Sequence, residues 1–264
     1  LDVLSAWASG EAGAPILSAD ASDELQELAK ISKLKICRMV ARTYLRGLSV
    51  IGFRSPTSAD NDPSWAWWQA HGLDAKQAEV HKLALELGTA FVVVLPDHLG
   101  WSQEAAKPQV YSPKNVIAEY DERDDLFPAQ AVLFRETTDG YGALLVDREK
   151  VYPVKLNYTV ASGAIAKIRH DSIEITGEPW AHNATYNGHP VCPVVAFVDV
   201  KFDSTRMPVR GEGVVGPIID LNKAINQVNF DRLVVSRYGA YDQKMIIGWS
   251  DTKARLEKLN AAHI

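Results

Sequence analysis

The segment from Val214 to Tyr238 constrains the chain more than any other. Val214, Ile218, Leu221, Ile225 and Val228 step by four, three, four and three residues, the spacing of a heptad seam on a helix. Asn222, Asn226 and Asn229 fall on a separate face, with Lys223 and Gln227 beside them. Gly211 and Gly213 introduce the segment, which as a helix would span roughly 35 Å. One apolar seam and one polar, asparagine-rich face give such a helix a side for packing and a side for solvent. It is expected to project from the body as a wall element, with the seam as its contact surface.

Upstream, apolar residues at Leu25, Leu28, Ile36, Met39, Val40 and Tyr44 predict one amphipathic helix from Asp23 to Leu45, capped by Ser22 or Asp23 and ended by Gly47. Its other face carries Lys35, Arg38, Arg42 and Arg46. That stripe suits either a DNA contact or a solvated face, and the acidity of the rest of the chain favours the solvated face. Ser55 to Pro63 reads as a loop. Trp65, Trp67 and Trp68 open a short helix, their indoles serving as packing anchors rather than base-stacking platforms because no basic residues lie between them. Another helix is predicted from Asp74, its N-cap, to Leu87, with Gly88 as terminator.

From Thr89 to about Val200 the pattern becomes β. Strands are expected over Phe91 to Leu95, Val110 to Ser112, Val116 to Tyr120, Ala131 to Glu136, Tyr141 to Val146, Val151 to Tyr158, Ala164 to Ile175 and Val194 to Val198. Asp139-Gly140 tolerates positive φ and predicts a hairpin turn. After Gly239, a short strand over Lys244 to Ile247 and a helix capped by Asp251 are expected. The fold class is therefore α+β: a mixed helical and β-rich body with one long projecting helix.

A length of 264 residues with 47% hydrophobic and 23% charged residues excludes a mainly disordered chain. A net charge of −5 argues against a protein that grips nucleic acid electrostatically. Cys37 and Cys192 stand far apart with no CxxC partner and read as buried free thiols. Two sequon matches, at Asn157 and Asn183, carry no weight without a secretory route. No apolar run approaches the ~20 residues of a membrane span. The opening Leu1-Asp2-Val3 lacks an initiator Met and reads as the start of a piece cut from a larger subunit.

No catalytic centre emerges from the motifs. Gly211-Glu212-Gly213-Val214-Val215-Gly216 fits the letters of a dinucleotide fingerprint, but it follows a polar, proline-containing loop instead of a strand. No GxSxG elbow is present. His182, His189 and Cys192 are interrupted by Pro190 and Pro193 and read as a loop before a strand instead of zinc ligands. Asp121, Glu122, Asp124 and Asp125 lack the alternating spacing of a calcium loop and read as a charged turn. No cofactor and no metal are expected.

Several stretches together resemble phage portal proteins of the actinobacterial siphophage type. They are Leu73-Asp74, His81, Ala84-Leu85, Gly88 and Ala90-Phe91-Val92; Tyr111-Ser112-Pro113 and Glu119-Tyr120-Asp121; Gly188 to Phe197; Gly211-Glu212-Gly213 with Ile218 to Asn226; and Ala240 to Lys244 with Gly248. The sequence departs from that pattern where Gly213-Val214 replaces a Ser-Glu pair, Asn222-Lys223 replaces Gln-Asp and Asp242 replaces a proline.

The resemblance implies a non-enzymatic subunit of a ring, usually dodecameric, at one capsid vertex. DNA is packaged and ejected through its channel, and the ring joins head to tail. Residues 1–211 would be mostly wing, 212–238 the stem helix and 239–264 the start of the clip, with further parts beyond Ile264. Asn222, Lys223, Asn226 and Asn229 would face the channel, and Val214, Ile218, Leu221, Ile225 and Val228 would contact neighbouring subunits. The implied partners are copies of the chain, duplex DNA in passage but not tightly held, terminase, capsid and head–tail adaptor proteins. No membrane is involved, and the implied location is the virion, with the host cytoplasm during assembly. The competing expectations are a metal-dependent α+β hydrolase using the Asp121 to Asp125 cluster, and a nucleic-acid-binding domain using Lys35, Arg38, Arg42 and Arg46.

Overall fold

The computed structural model describes residues 1–53, 63–97, 102–121, 126–137, 140–161, 164–199, 211 and 213–239. The chain divides into two compact units, one of Leu1–Gly13 and Leu34–Ile225, the other of Ala14–Lys33 and Asn226–Ile264. The Asp139 half of the expected hairpin turn, the acidic residues at 122, 124 and 125, Glu212, and the strand and helix expected after Gly239 all lie outside the described residues.

The larger unit opens with α1 (Asp2–Ser9), which the apolar periodicity did not announce. It continues with α3 (Ile36–Gly47), α4 (Pro63–Ala70) and α5 (Leu73–Leu87). In the smaller unit, α2 spans Asp23–Ser32, and the Ser22 hydroxyl accepts from the Leu25 N–H at 3.4 Å as its cap. The single helix expected over Asp23 to Leu45 is thus two helices. Lys33 leaves the first in an extended conformation, φ −69° and ψ 111°. In α5 the cap is Gly72, not Asp74; the Asp74 carboxylate instead accepts from the Trp68 indole N–H at 2.9 Å. Trp65 and Trp68 stack with centroids 6.2 Å apart, and Phe53 meets both edge-on, as expected of packing anchors; Trp67 is 41% exposed and does not join them.

The β region follows the predicted strands closely, except that the strand expected over Val110 to Ser112 runs from Ser102 to Tyr111. A three-stranded antiparallel sheet has the order β11 (Val194–Val198), β1 (Thr89–Asp97), β2 (Ser102–Tyr111). A larger antiparallel sheet runs in chain order through β3 (Val116–Glu119), β4 (Gln130–Thr137), β5 (Gly140–Val146), β6 (Lys150–Ala161) and β7 (Ala164–Ile175), with β8 (Trp180–Ala181) pairing to β6. A small ribbon pairs β9 (Thr185–Tyr186) with β10 (His189–Pro190).

Alternation decides which sheet faces meet. Phe91, Val93, Ala131, Leu133, Val146, Val151 and Val194 form the main core between the sheets. The opposite face of the large sheet carries a second cluster built on Ala143 and Val154. Both cysteines are free and buried, and burial pushes the Cys192 thiol up to about 12.

The last described helix, α6 (Ile219–Tyr238), follows a 3-10 turn over Gly216–Ile218. Its start is later than Val214. The Val214 N–H is held by the Leu85 carbonyl at 2.8 Å, and Pro217 sits in the first turn, where a missing N–H is harmless. The helix runs unbroken through Asn226, as expected. In the smaller unit its second half packs Phe230, Leu233 and Val234 on Leu25, Leu28 and Ala29, and Arg237 meets Glu24 at 2.8 Å.

Candidate functional site

Three glycines position the start of the last helix. Gly88 ends α5 at φ +85°, and a side chain there would collide with the Gly211 carbonyl. A Cβ on Gly211 would strike the carbonyls of Asp199 and Gly88. Gly213 takes φ +65°, and a Cβ there would lie 3.0 Å from the Gly88 nitrogen. The letters that mimic a dinucleotide fingerprint therefore serve a tight crossing of two backbone segments, where only hydrogen fits. Beyond the crossing, Val215 is fully buried with Trp7, Ala8, Cys37 and Ala41, and Val214, Ile218 and Ile219 pack around them.

The face that this anchoring turns inward is the asparagine face. Asn222 and Asn226 are each 1% exposed. The Asn222 amide donates to the Leu34 carbonyl at 3.0 Å and accepts from the Cys37 N–H at 3.2 Å. In an unbroken helix the Cys37 N–H would bond to the carbonyl of residue 33; the break before α3 frees it, and a buried backbone donor needs a partner. In the smaller unit Asn229 does the same for the freed Ser32 carbonyl, donating at 2.8 Å. This corrects the expectation of a solvent-facing asparagine stripe: Asn222 and Asn226 are buried within the chain. Of the four residues expected on that face only Lys223 is exposed, paired to Asp220 at 3.0 Å, with its ammonium 6.0 Å from the Trp7 ring centroid.

The apolar seam is divided between the chain's interior and its surface. Val214, Ile218 and Ile225 are partly buried within the chain, whereas Leu221 and Val228 are 58% and 67% exposed. Val235, overlooked in the sequence, is 69% exposed. Leu221, Val228 and Val235 lie seven residues apart, so they form one outward stripe along the helix. Asp220, Lys223, Gln227 and Asp231 flank it, tied by Lys223–Asp220 and Gln227–Asp231 bonds of 3.0 Å.

Among the described residues weighed for metal chemistry, His182 and Asp121 have other partners. His182 accepts from the Ala184 N–H through Nδ1 at 3.1 Å, which leaves Nε2 to donate to the Asp147 carbonyl at 3.0 Å. His189 sits exposed on the short ribbon. Asp121 pairs with Arg148 at 3.5 Å. Lys35, Arg38, Arg42 and Arg46 do share one face of α3 and line an open groove with Met39 and Thr43.

The last helix thus braces backbone breaks with its buried face and leaves an apolar heptad stripe on its outer face. The family model for phage portal proteins of the SPP1 Gp6-like type matches residues 48–264. The chain belongs to that family, which makes it a structural component of the virion at the head–tail connector. Characterised proteins provide no match. Among the described residues no helix is long and apolar enough to cross a membrane.

Proposed function

We propose that the chain is the repeating subunit of a dodecameric ring around a channel at one capsid vertex. DNA enters through the channel during packaging and leaves at ejection, and the ring joins head to tail. In this reading residues 1–211 are mostly wing, 212–238 the stem helix and 239–264 the start of the clip, with terminase, capsid and head–tail adaptor proteins as partners.

The observation that carries the reading is the outward stripe of Leu221, Val228 and Val235 on a helix within the portal-family match. Symmetry presents the same stripe to every neighbour, so a second copy of the chain covers it. The flank of Asp220, Lys223, Gln227 and Asp231 then meets the channel. Lys223 is its single cation, and each phosphate contact adds to the salt-dependent hold on DNA; one cation keeps that hold weak and the duplex free to advance.

Electron microscopy of the chain across a concentration series tests this. Rings with a central hole are expected, and a Leu221→Asp, Val228→Asp double variant should keep its circular dichroism spectrum but form none. Wild-type chain that stays monomeric at every concentration, or a double variant that still forms rings, overturns the reading.

A further inference from the structure

The basic face of α3 is the strongest unassigned feature of the larger unit. The helix carries Arg38, Arg42 and Arg46, with Lys35 at its cap and no acidic residue, in a chain of net charge −5. Side chains four apart sit on successive turns, about 6 Å along the axis. Arg38 and Arg42 also face Lys82 and Glu86 of α5 across a cleft of about 410 Å³, with Ser5, Ala8 and Ser9 of α1 in its wall. Among the described residues none of Arg38, Arg42, Arg46 and Lys82 forms an ion pair or a side-chain hydrogen bond. Three cations against one carboxylate leave the cleft at +2 when Glu86 is ionised.

We propose that this cleft binds phosphate, with Arg38 and Arg42 as forked donors and Lys82 as a point charge, and that the groove leading to Arg46 extends it into a track for successive phosphates. Guanidinium forks match phosphate oxygens two at a time. A charge of +2 suits a phosphate dianion or two adjacent phosphodiesters, and exceeds what one carboxylate would neutralise. Arg38 and Arg42 precede residue 48, where the family match begins, and Lys82 and Glu86 lie within it; the portal reading gives none of the four a role, so the site goes beyond that reading and does not rest on it. Read along the sequence alone these residues suit a solvated face; Lys82 and the cleft across from them change that.

Glu86 supplies an internal control. Burial raises its carboxyl above the usual range, against the pull of Lys82, Arg38 and Arg42. These three are the charged groups that face it, since the α1 wall contributes none. The carboxylate repels an incoming anion, so binding should strengthen as pH falls and Glu86 takes up a proton.

The experiment is fluorescence anisotropy of a labelled DNA duplex with the whole chain, over salt and from pH 7.5 down to about 5, where phosphodiesters do not titrate. An Arg38→Gln, Arg42→Gln double variant should bind at least about tenfold more weakly, with a log–log salt slope shallower by about two. Glu86→Gln should bind more tightly at neutral pH and lose the pH dependence. Competition by inorganic phosphate at constant ionic strength separates the sources. Displacement at low millimolar concentration supports the proposal with free phosphate as occupant, and resistance supports it with the nucleic-acid backbone. No binding of either ligand, unchanged slope in the double variant, no effect of Glu86→Gln, or equal binding of polyglutamate overturns it.

Discussion

Replacing Asn222 by alanine should weaken the fold far more than its polar character suggests. The side chain is 1% exposed and holds two backbone groups of the break before α3. Cys37 is fully buried, so its N–H would be left without a partner or water, at about 1–3 kcal/mol. Leu34 is 43% exposed, so its carbonyl can recover water, and the loss there is nearer ~1 kcal/mol. Together these give about 2–4 kcal/mol, a urea midpoint lower by about 1 M at unchanged m. The control is Lys223→Ala one position on, which removes an exposed pair with Asp220 and should change stability by under ~1 kcal/mol. Asn222→Asp keeps the acceptor for the Cys37 N–H but loses the donor to Leu34, and should also be destabilised. If Asn222→Ala unfolds at the same urea concentration as Lys223→Ala, the asparagine face is not structural and the solvent-facing assignment regains its ground.

Three further outcomes follow from the same structure. Gly88→Ala should lower the melting temperature by several degrees and cost about 2 kcal/mol or more, because φ +85° strains an L residue and the new Cβ meets the Gly211 carbonyl; a melting curve that matches wild type would contradict the backbone crossing. For Asp147, burial works against the charge, but hydrogen bonds from the Lys150 and Glu149 amides and the Tyr152 hydroxyl hold its carboxyl below the ordinary range. That stabilisation is full above the unfolded carboxyl's pKa and is lost as pH falls through the lower folded value, so wild type should outlast Asp147→Asn in urea at pH 7 and converge with it below about pH 4. The buried Cys37 and Cys192 thiols should react with Ellman's reagent at pH 8 only once the chain unfolds, because burial raises both; rapid reaction of both in the folded state would refute their placement.

The β half of the fold was legible because the information needed was local. Strands ask for β-branched and aromatic residues, and a stretch such as Phe91 to Leu95 carries them whatever its partners. The short pairs at Trp180–Ala181 and Thr185–Tyr186 went unread because two residues hold no period. The break between α2 and α3 was hidden for a different reason. Lys33-Leu34-Lys35 contains no glycine or proline, and the backbone groups freed around it find partners nearly two hundred residues away: the Ser32 carbonyl at Asn229, and the Leu34 carbonyl and Cys37 N–H at Asn222.

The misplaced phase of the last helix follows from that same long-range debt of hydrogen bonds. From the sequence, the whole apolar seam is expected to pack on neighbouring copies and the asparagines to meet solvent, the ordinary division of an amphipathic helix. Here the helix meets exposed backbone donors and acceptors as well as a core, and a buried polar backbone group without a partner costs as much as an unburied leucine loses. Asparagine, with one donor group and one acceptor on a short stem, answers both sides of such a break. Once Asn222, Asn226 and Asn229 are turned inward, geometry leaves Leu221, Val228 and Val235 no choice but the outer surface. The sequence did hold one sign of this: the asparagines recur at four and three residues, the spacing of a buried stripe, whereas a solvated face needs no such regularity. In the proposed ring the same inversion links fold to assembly, because the apolar stripe turned away from the chain's own core is the part of the helix that a neighbouring copy would cover.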